Sequence, residues 1–214
     1  MENFEVSVQR FNEFAEEYTQ RFASVDSYSG SLDRFCQLIP TGHPKILELG
    51  CGPGNVTKYL LKRFPASRII AIDLAPKMIE IARKQLPEVD FRIMDVRNIS
   101  SIHEKFDAIL CSFCLPFLSK SDAEKLIANC AGLLISGGVL YISTMEGDEN
   151  KAGFESTSFS GNAEIYFNYH LQADLENAMK ESGFLVDEIK LQDYEEPDGS
   201  LTTDLVKDIG QDMS

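Results

Sequence analysis

The residues of this 214-residue chain whose types and spacing can do chemistry concentrate in Glu48-Leu49-Gly50-Cys51-Gly52-Pro53-Gly54-Asn55. Glycine at every second position opens the backbone to close approach by a ligand, where a Cβ would intervene. The loop follows the apolar run Ile46-Leu47 and precedes a helical stretch. It therefore lies at the carboxyl end of a strand, the ligand crevice of open α/β sheets. A dinucleotide fingerprint would need its third glycine at position 55, which is Asn55, and would rest a pyrophosphate on the helix that follows. The spacing here is G-x-G-x-G after the anionic Glu48, which suits a ligand bearing an ammonium group better than a pyrophosphate.

A second group with reactive side chains is Cys111-Ser112-Phe113-Cys114. Its C-x-x-C spacing can serve redox or zinc chemistry, but it follows an apolar strand and has no second cysteine pair or nearby histidine. Buried thiols acting as small apolar groups are the better reading.

The elements that must position these residues alternate from Lys45 onward. The sequence predicts strands at Lys45–Leu49, Arg68–Ile72, Val89–Met94, Phe106–Cys111, Gly138–Thr144 and Phe184–Leu191. Helices are expected near Asn55–Phe64, Pro76–Gln85, Ser121–Leu134 and Leu171–Ser182, with Pro76 suited to a first turn and Gly183 to a helix stop. A last strand, Thr202–Ile209, carries charges that suit at best an edge. The fold class is α/β: a three-layer Rossmann-like sandwich with a mostly parallel seven-stranded sheet, helices on both faces, and an antiparallel strand near the carboxyl terminus. Residues 1–40 read as a helical amino-terminal cap, with Phe11, Phe14, Ala15, Tyr18 and Phe22 at helical spacing. Residues 41–214 form the ligand-binding domain, a single unit in which residues 145–170 are a substrate-side insertion.

Four segments in register carry a resemblance. Glu48-Leu49-Gly50-Cys51-Gly52-Pro53-Gly54 closely resembles the first motif of class I S-adenosylmethionine-dependent methyltransferases. Ile70-Ala71-Ile72-Asp73-Leu74-Ala75-Pro76-Lys77-Met78, Phe91-Arg92-Ile93-Met94-Asp95-Val96 and Phe106-Asp107-Ala108-Ile109-Leu110-Cys111-Ser112-Phe113 look like the second, third and fourth. Gly137-Gly138-Val139-Leu140-Tyr141-Ile142 resembles the turn and fifth strand, so the likeness covers Lys45 to about Leu191. It implies S-adenosylmethionine as cofactor, S-adenosylhomocysteine as product, and no metal.

On that resemblance Asp73 accepts hydrogen bonds from the two ribose hydroxyls, with capping of the next helix as the plain alternative. Leu74 and Met78 sandwich the adenine, although Met78 can equally be core. Asp95 takes the adenine amino hydrogens, or is an ordinary turn acid, and the Val96 N–H serves a ring nitrogen. Backbone at Gly50, Cys111 and Ser112 holds the methionine end, and Glu48, Cys51, Gly52, Gly54 and Asn55 complete the cofactor set. Tyr18 covers the cofactor, as an amino-terminal tyrosine often does in related enzymes, or simply packs.

The implied reaction moves the sulfonium methyl to an O, N or C atom of a small organic molecule by in-line displacement. The sulfonium methyl is already activated, so the protein has to align, exclude water and sometimes take a proton. Amino-methylating enzymes acting on DNA adenine or protein glutamine carry Asn or Asp, then Pro-Pro and an aromatic, after the fourth strand; here the segment reads Cys111-Ser112-Phe113-Cys114-Leu115-Pro116. Tyr28, Phe113, Tyr166, Phe167, Tyr169 and His170 are the candidates for lining the acceptor pocket, with Tyr166 and His170 as candidate catalytic groups. Helix capping by His170 and core packing by Tyr166 and Tyr169 are the plain alternatives. The alternative function is a protein of the same fold that binds S-adenosylmethionine or S-adenosylhomocysteine for a non-methyl transfer or a regulatory role.

Composition narrows the partners. A net charge of −14, from 34 acidic and 20 basic residues, argues against nucleic acid, whose binding needs clustered Lys and Arg. Much of the acidity lies late, especially Asp193 to Asp198, and reads as solvated surface. The longest apolar stretch, Ala108 to Leu118, falls short of the roughly 20 residues a membrane span needs. Met1-Glu2-Asn3-Phe4-Glu5 lacks the basic start of a signal peptide, and five cysteines suit a reducing compartment. A cytoplasmic enzyme, monomer or homodimer, is expected.

Overall fold

Strand β1 (Lys45–Leu49) lies in the interior of a seven-stranded sheet because both of its faces are apolar and need cover. The computed structural model describes residues 3–161, 163–195 and 201–212. After β1 come α4 (Asn55–Arg63), β2 (Arg68–Asp73), α5 (Pro76–Gln85), β3 (Asp90–Ile93) and β4 (Phe106–Ser112). The chain continues through α6 (Lys120–Leu133), β5 (Leu134–Met145), the strands β6 (Gly153–Ser156) and β7 (Glu164–Phe167), α7 (Gln172–Glu181), β8 (Phe184–Glu195) and β9 (Leu201–Asp212). Three helices precede β1: α1 (Asn3–Glu13), α2 (Ala15–Arg21) and α3 (Ser29–Leu38).

Strand order is β3-β2-β1-β4-β5-β9-β8, with β1 to β5 parallel and β9 antiparallel to both of its neighbours. Alternate residues of each strand feed the two faces. Ile46, Ala71, Ala108 and Tyr141 join Phe35 of α3, Leu60 of α4 and Ile79 of α5 on one side. Leu47, Ile70, Ile109 and Leu140 join Leu126 and Ile127 of α6 and Met179 of α7 on the other. This is the expected three-layer arrangement. Strand order reverses between β1 and β4, so the loops after these two strands border the crevice that ligands occupy in such sheets.

Three expectations change in detail. The charged last segment, placed at best on an edge, runs between β5 and β8, and β8 takes the edge. The reason lies in the backbone: the free side of β5 offers unpaired groups from Val139 to Met145, and β9 satisfies them. The insertion, for which no element is predicted, carries the antiparallel pair β6 and β7. The amino-terminal helical run breaks at Phe14, whose φ of −104° and ψ of 28° separate α1 from α2. The acidic run Asp193 to Asp198 lies in part outside the described residues. Among those described, no helix is long and apolar enough to cross a membrane.

Candidate functional site

The glycine loop takes the backbone shapes its composition permits. Gly50 has a φ of +67°, and a Cβ there would stand 3.0 Å from Cys114 Cβ and 3.2 Å from its Sγ. Gly52 has a φ of +53°, a region that L side chains rarely adopt. The Gly52 N–H donates to Asp73 Oδ2 at 2.9 Å, and the Ala75 N–H donates to Asp73 Oδ1 at 2.8 Å. The carboxylate at the end of β2 thus ties the loop after β1 to the start of α5. Burial pushes its pKa up, opposed by the N–H groups of Ala75, Gly52 and Leu74.

A cavity of about 610 Å³ opens above this loop. Of the residues expected to hold a cofactor, it brings together Tyr18, Gly50, Gly52, Asp73, Leu74, Met78, Val96 and Ser112. Tyr18 Cε1 lies 3.8 Å from where a Cβ of Gly52 would be. Burial, with the Asp73 charge adding to it, pushes the phenol up to about 12, so Tyr18 stays neutral. Tyr28 and Phe113 also line the cavity, with ring centroids 6.2 Å apart. Phe113 is the one non-glycine residue with positive φ among those described, at 51°, and its N–H donates to Ser143 O at 3.0 Å. A bulky residue held there costs on the order of 1–3 kcal/mol, a strain that clusters at functional sites.

The remaining cofactor candidates stand behind the wall rather than on it. Glu48 is 2% exposed and accepts from Thr57 Oγ1 at 2.6 Å. Desolvation pushes its carboxyl up to about 8, against the Thr57 bond and with help from the Asp73 charge. The Cys51 N–H donates to Ile72 O at 3.0 Å and the Gly54 N–H to Cys51 O at 3.1 Å, so both shape the loop. Asn55 Nδ2 donates to Phe22 O at 2.6 Å, fastening α4 to the cap. Cys111 is buried, and its thiol lies beside that of Cys114, whose pKa rises through that hydrogen bond and burial. Asp95 engages Arg97 through the backbone N–H at 2.9 Å and the guanidinium at 2.6 Å. That guanidinium lies 4.1 Å from the ring centroid of Phe4.

Three acceptor-side candidates lie off the cavity wall. His170 is buried with Nε2 2.9 Å from Leu115 O, and desolvation lowers its pKa. Tyr166 meets Ser7 through its backbone: Ser7 Oγ donates to Tyr166 O at 3.0 Å and accepts from Tyr166 N at 3.2 Å. Its ring sits edge-on to Phe154, itself 46% exposed. Tyr169 reaches the site indirectly, donating to Glu155 Oε1 at 2.7 Å.

In their place the wall carries Arg21, Phe22, Phe117, Glu155 and Phe159, none of which the sequence reading singled out for this wall. Phe159 is buried against Phe11, Tyr18 and Phe22, with centroids 5.6, 5.0 and 5.9 Å away. This aromatic cluster and the Ser7–Tyr166 pair join the amino-terminal helices and the insertion into one roof. Nothing local in the sequence marked Phe159 or Glu155, because their role depends on contacts far along the chain.

Comparison with known proteins agrees with the geometry. Residues 46–138 match the family model described as a methyltransferase domain. The chain is 40% identical over 97 residues to trans-aconitate 2-methyltransferase of Escherichia coli, covering 45% of this chain and 37% of that protein. It is 35% identical over 126 residues to malonyl-(acyl-carrier protein) O-methyltransferase of Acetivibrio thermocellus, covering 58% and 39%. The chain thus spans about two fifths of the length of these curated relatives. Among solved structures, magnesium protoporphyrin IX methyltransferase of Synechocystis superposes with a TM-score of 0.69 at 15% identity, covering 97% of each chain. A Clostridium acetobutylicum S-adenosylmethionine-dependent methyltransferase gives 0.70 at 16%, covering 94% and 98%. Residues 46–138 thus match a methyltransferase domain, set in a fold shared with solved S-adenosylmethionine-dependent methyltransferases.

Proposed function

We propose that this protein is an S-adenosylmethionine-dependent methyltransferase that methylates an O, N or C atom of a small organic molecule. The observation that carries the reading is Asp73, a carboxylate on the cavity wall fixed by the N–H groups of Gly52 and Ala75. Each of its oxygens keeps a lone pair for a ligand hydroxyl. The cradle fits such a ligand: positive-φ glycines at 50 and 52 keep the floor free of side chains, while Leu74, Met78 and Val96 offer an apolar slot for a ring. Asp73 adds negative potential at the site, which suits an ammonium and a sulfonium.

S-adenosylmethionine, when bound, supplies a methyl group already activated on a positively charged sulfur. The chain's own residues hold, orient and shield. Tyr18 covers the loop, and the strained Phe113 fixes the wall where β4 ends. Glu155, held by Tyr169, is the carboxylate on the insertion side and is placed to take the acceptor's proton. Residues 1–40 act as a helical cap and residues 145–170 as a substrate-side insertion on the unit 41–214, so that water is excluded where charge moves. The five free thiols and the net charge of −14 support a cytoplasmic enzyme that does not act on nucleic acid.

Calorimetric titration with S-adenosylmethionine, S-adenosylhomocysteine and NAD tests the reading. Saturable binding of the first two and far weaker binding of NAD is expected. Saturable NAD binding without either sulfur compound would overturn it.

A further inference from the structure

We propose that the methyl acceptor is an uncharged, largely apolar molecule rather than a di- or tricarboxylate. This rests on reading the cavity as the S-adenosylmethionine pocket and concerns the part of its wall beyond the glycine loop. Much of that part is aromatic and aliphatic, with the hydroxyls of Ser156, Thr157 and Ser158 on the insertion side. Phe117 sits with its ring centroid 4.9 Å from Phe11 and 5.5 Å from Phe167, while Phe159 stacks on Phe11 at 5.6 Å. Leu118 and Met145 complete the apolar surface. Only Phe117 and Leu118 of these six fall within residues 46–138, so the acceptor wall is built mostly outside the matched domain.

The charges on the cavity lead the same way. Among the described lining residues they are Asp26, Asp73, Glu155 and Arg21. Arg21 and Asp26 are both exposed, which puts them at the mouth, and the guanidinium lies 5.6 Å from the centroid of Phe22. With Asp73 taken up by the ribose, an acceptor with several carboxylates would meet Glu155 inside, with Asp26 and the cation Arg21 at the mouth. It would bury charges against rings that cannot hydrogen-bond them. An apolar acceptor exchanges water at those rings for ring contacts and needs only one protic group near Glu155.

The probe is Nile red, a neutral apolar fluorophore, added to protein saturated with S-adenosylhomocysteine. Calorimetry of S-adenosylhomocysteine alone is run first on every variant, as the check on folding and on the cofactor reading. A parent protein that fails that step counts against the proposed function, not against the acceptor class. Saturable Nile red binding is expected, weakened about tenfold or more in Phe167→Lys, where an ammonium enters the apolar wall. Phe167→Leu should keep Nile red affinity within about threefold of the parent. Met145→Lys carries the same test should Phe167→Lys not bind S-adenosylhomocysteine. Millimolar trans-aconitate should neither displace the dye nor be methylated. No saturable dye binding to protein that binds S-adenosylhomocysteine would overturn the inference. So would undiminished dye binding in the lysine variants, or displacement or methylation by trans-aconitate.

Discussion

Replacing Asp73 by alanine separates two jobs that one carboxylate holds. Its oxygens accept from Gly52 N at 2.9 Å and from Ala75 N at 2.8 Å, and it also lines the cavity. Two charge-assisted bonds to ribose hydroxyls, at about 1.5 kcal/mol each, sum to about 3 kcal/mol, or roughly a hundredfold in Kd. The same change strips two loop N–H groups of their acceptor, at about 1–3 kcal/mol for each one left unpaired. In a chain of this size 1 kcal/mol moves Tm by about 2–4 °C. Asp73→Ala is therefore expected to lower both Tm and affinity for S-adenosylhomocysteine. Asp73→Asn keeps one acceptor oxygen and should recover part of each loss. Thermal unfolding reads the first effect and calorimetry the second. An Asp73→Ala protein that melts early yet binds S-adenosylhomocysteine with the parent's Kd would reduce Asp73 to a loop tie and refute the ribose assignment.

Other consequences follow from the same geometry. Glu48 is pushed from its ordinary 4.5 up to about 8 by burial, so the folded protein keeps a proton that the unfolded chain gives up. Its contribution to stability is therefore fully present below about pH 4.5 and is lost as pH rises through about 8. Glu48→Gln should gain on the parent in Tm between about pH 5 and 9, whereas parallel pH profiles would contradict the buried, protonated state. His170→Ala leaves the Leu115 carbonyl without its ring partner at a cost of about 1–3 kcal/mol. It should lower Tm while leaving S-adenosylhomocysteine affinity within about threefold of the parent; a selective loss of binding would return His170 to the site. Ser7→Ala cuts both bonds to the Tyr166 backbone and should speed hydrogen exchange at that amide by about tenfold. Unchanged exchange would mean that α1 does not hold the roof.

The parts of the site legible in the sequence are those whose constraint is local. G-x-G-x-G needs no tertiary information to imply positive φ, and Asp73 is marked by ending an apolar strand just before Pro76. The α5 helix, Pro76–Gln85, starts and stops where the sequence places it. Contacts between distant segments were not legible. The position of β9 is set by the open side of β5, so its own charges pointed wrongly to an edge. Strands β6 and β7 have four residues each, too few for an alternation to stand out from a loop. Glu155 and Phe159 reach the cavity only because that hairpin folds under α1 and α2. His170 and Tyr166 carry the more reactive-looking side chains, yet the fold spends one on a carbonyl and packs the other against Phe154.

The most direct test is the crystal structure of the complex with S-adenosylhomocysteine. The ribose hydroxyls are expected on Asp73, the adenine between Leu74 and Met78 beside Val96, and the homocysteine running over Gly50 toward Ser112. The sulfur should face the wall formed by Phe117, Met145 and Glu155. A ligand bound outside this cavity, or within it with the ribose away from Asp73, would contradict the account.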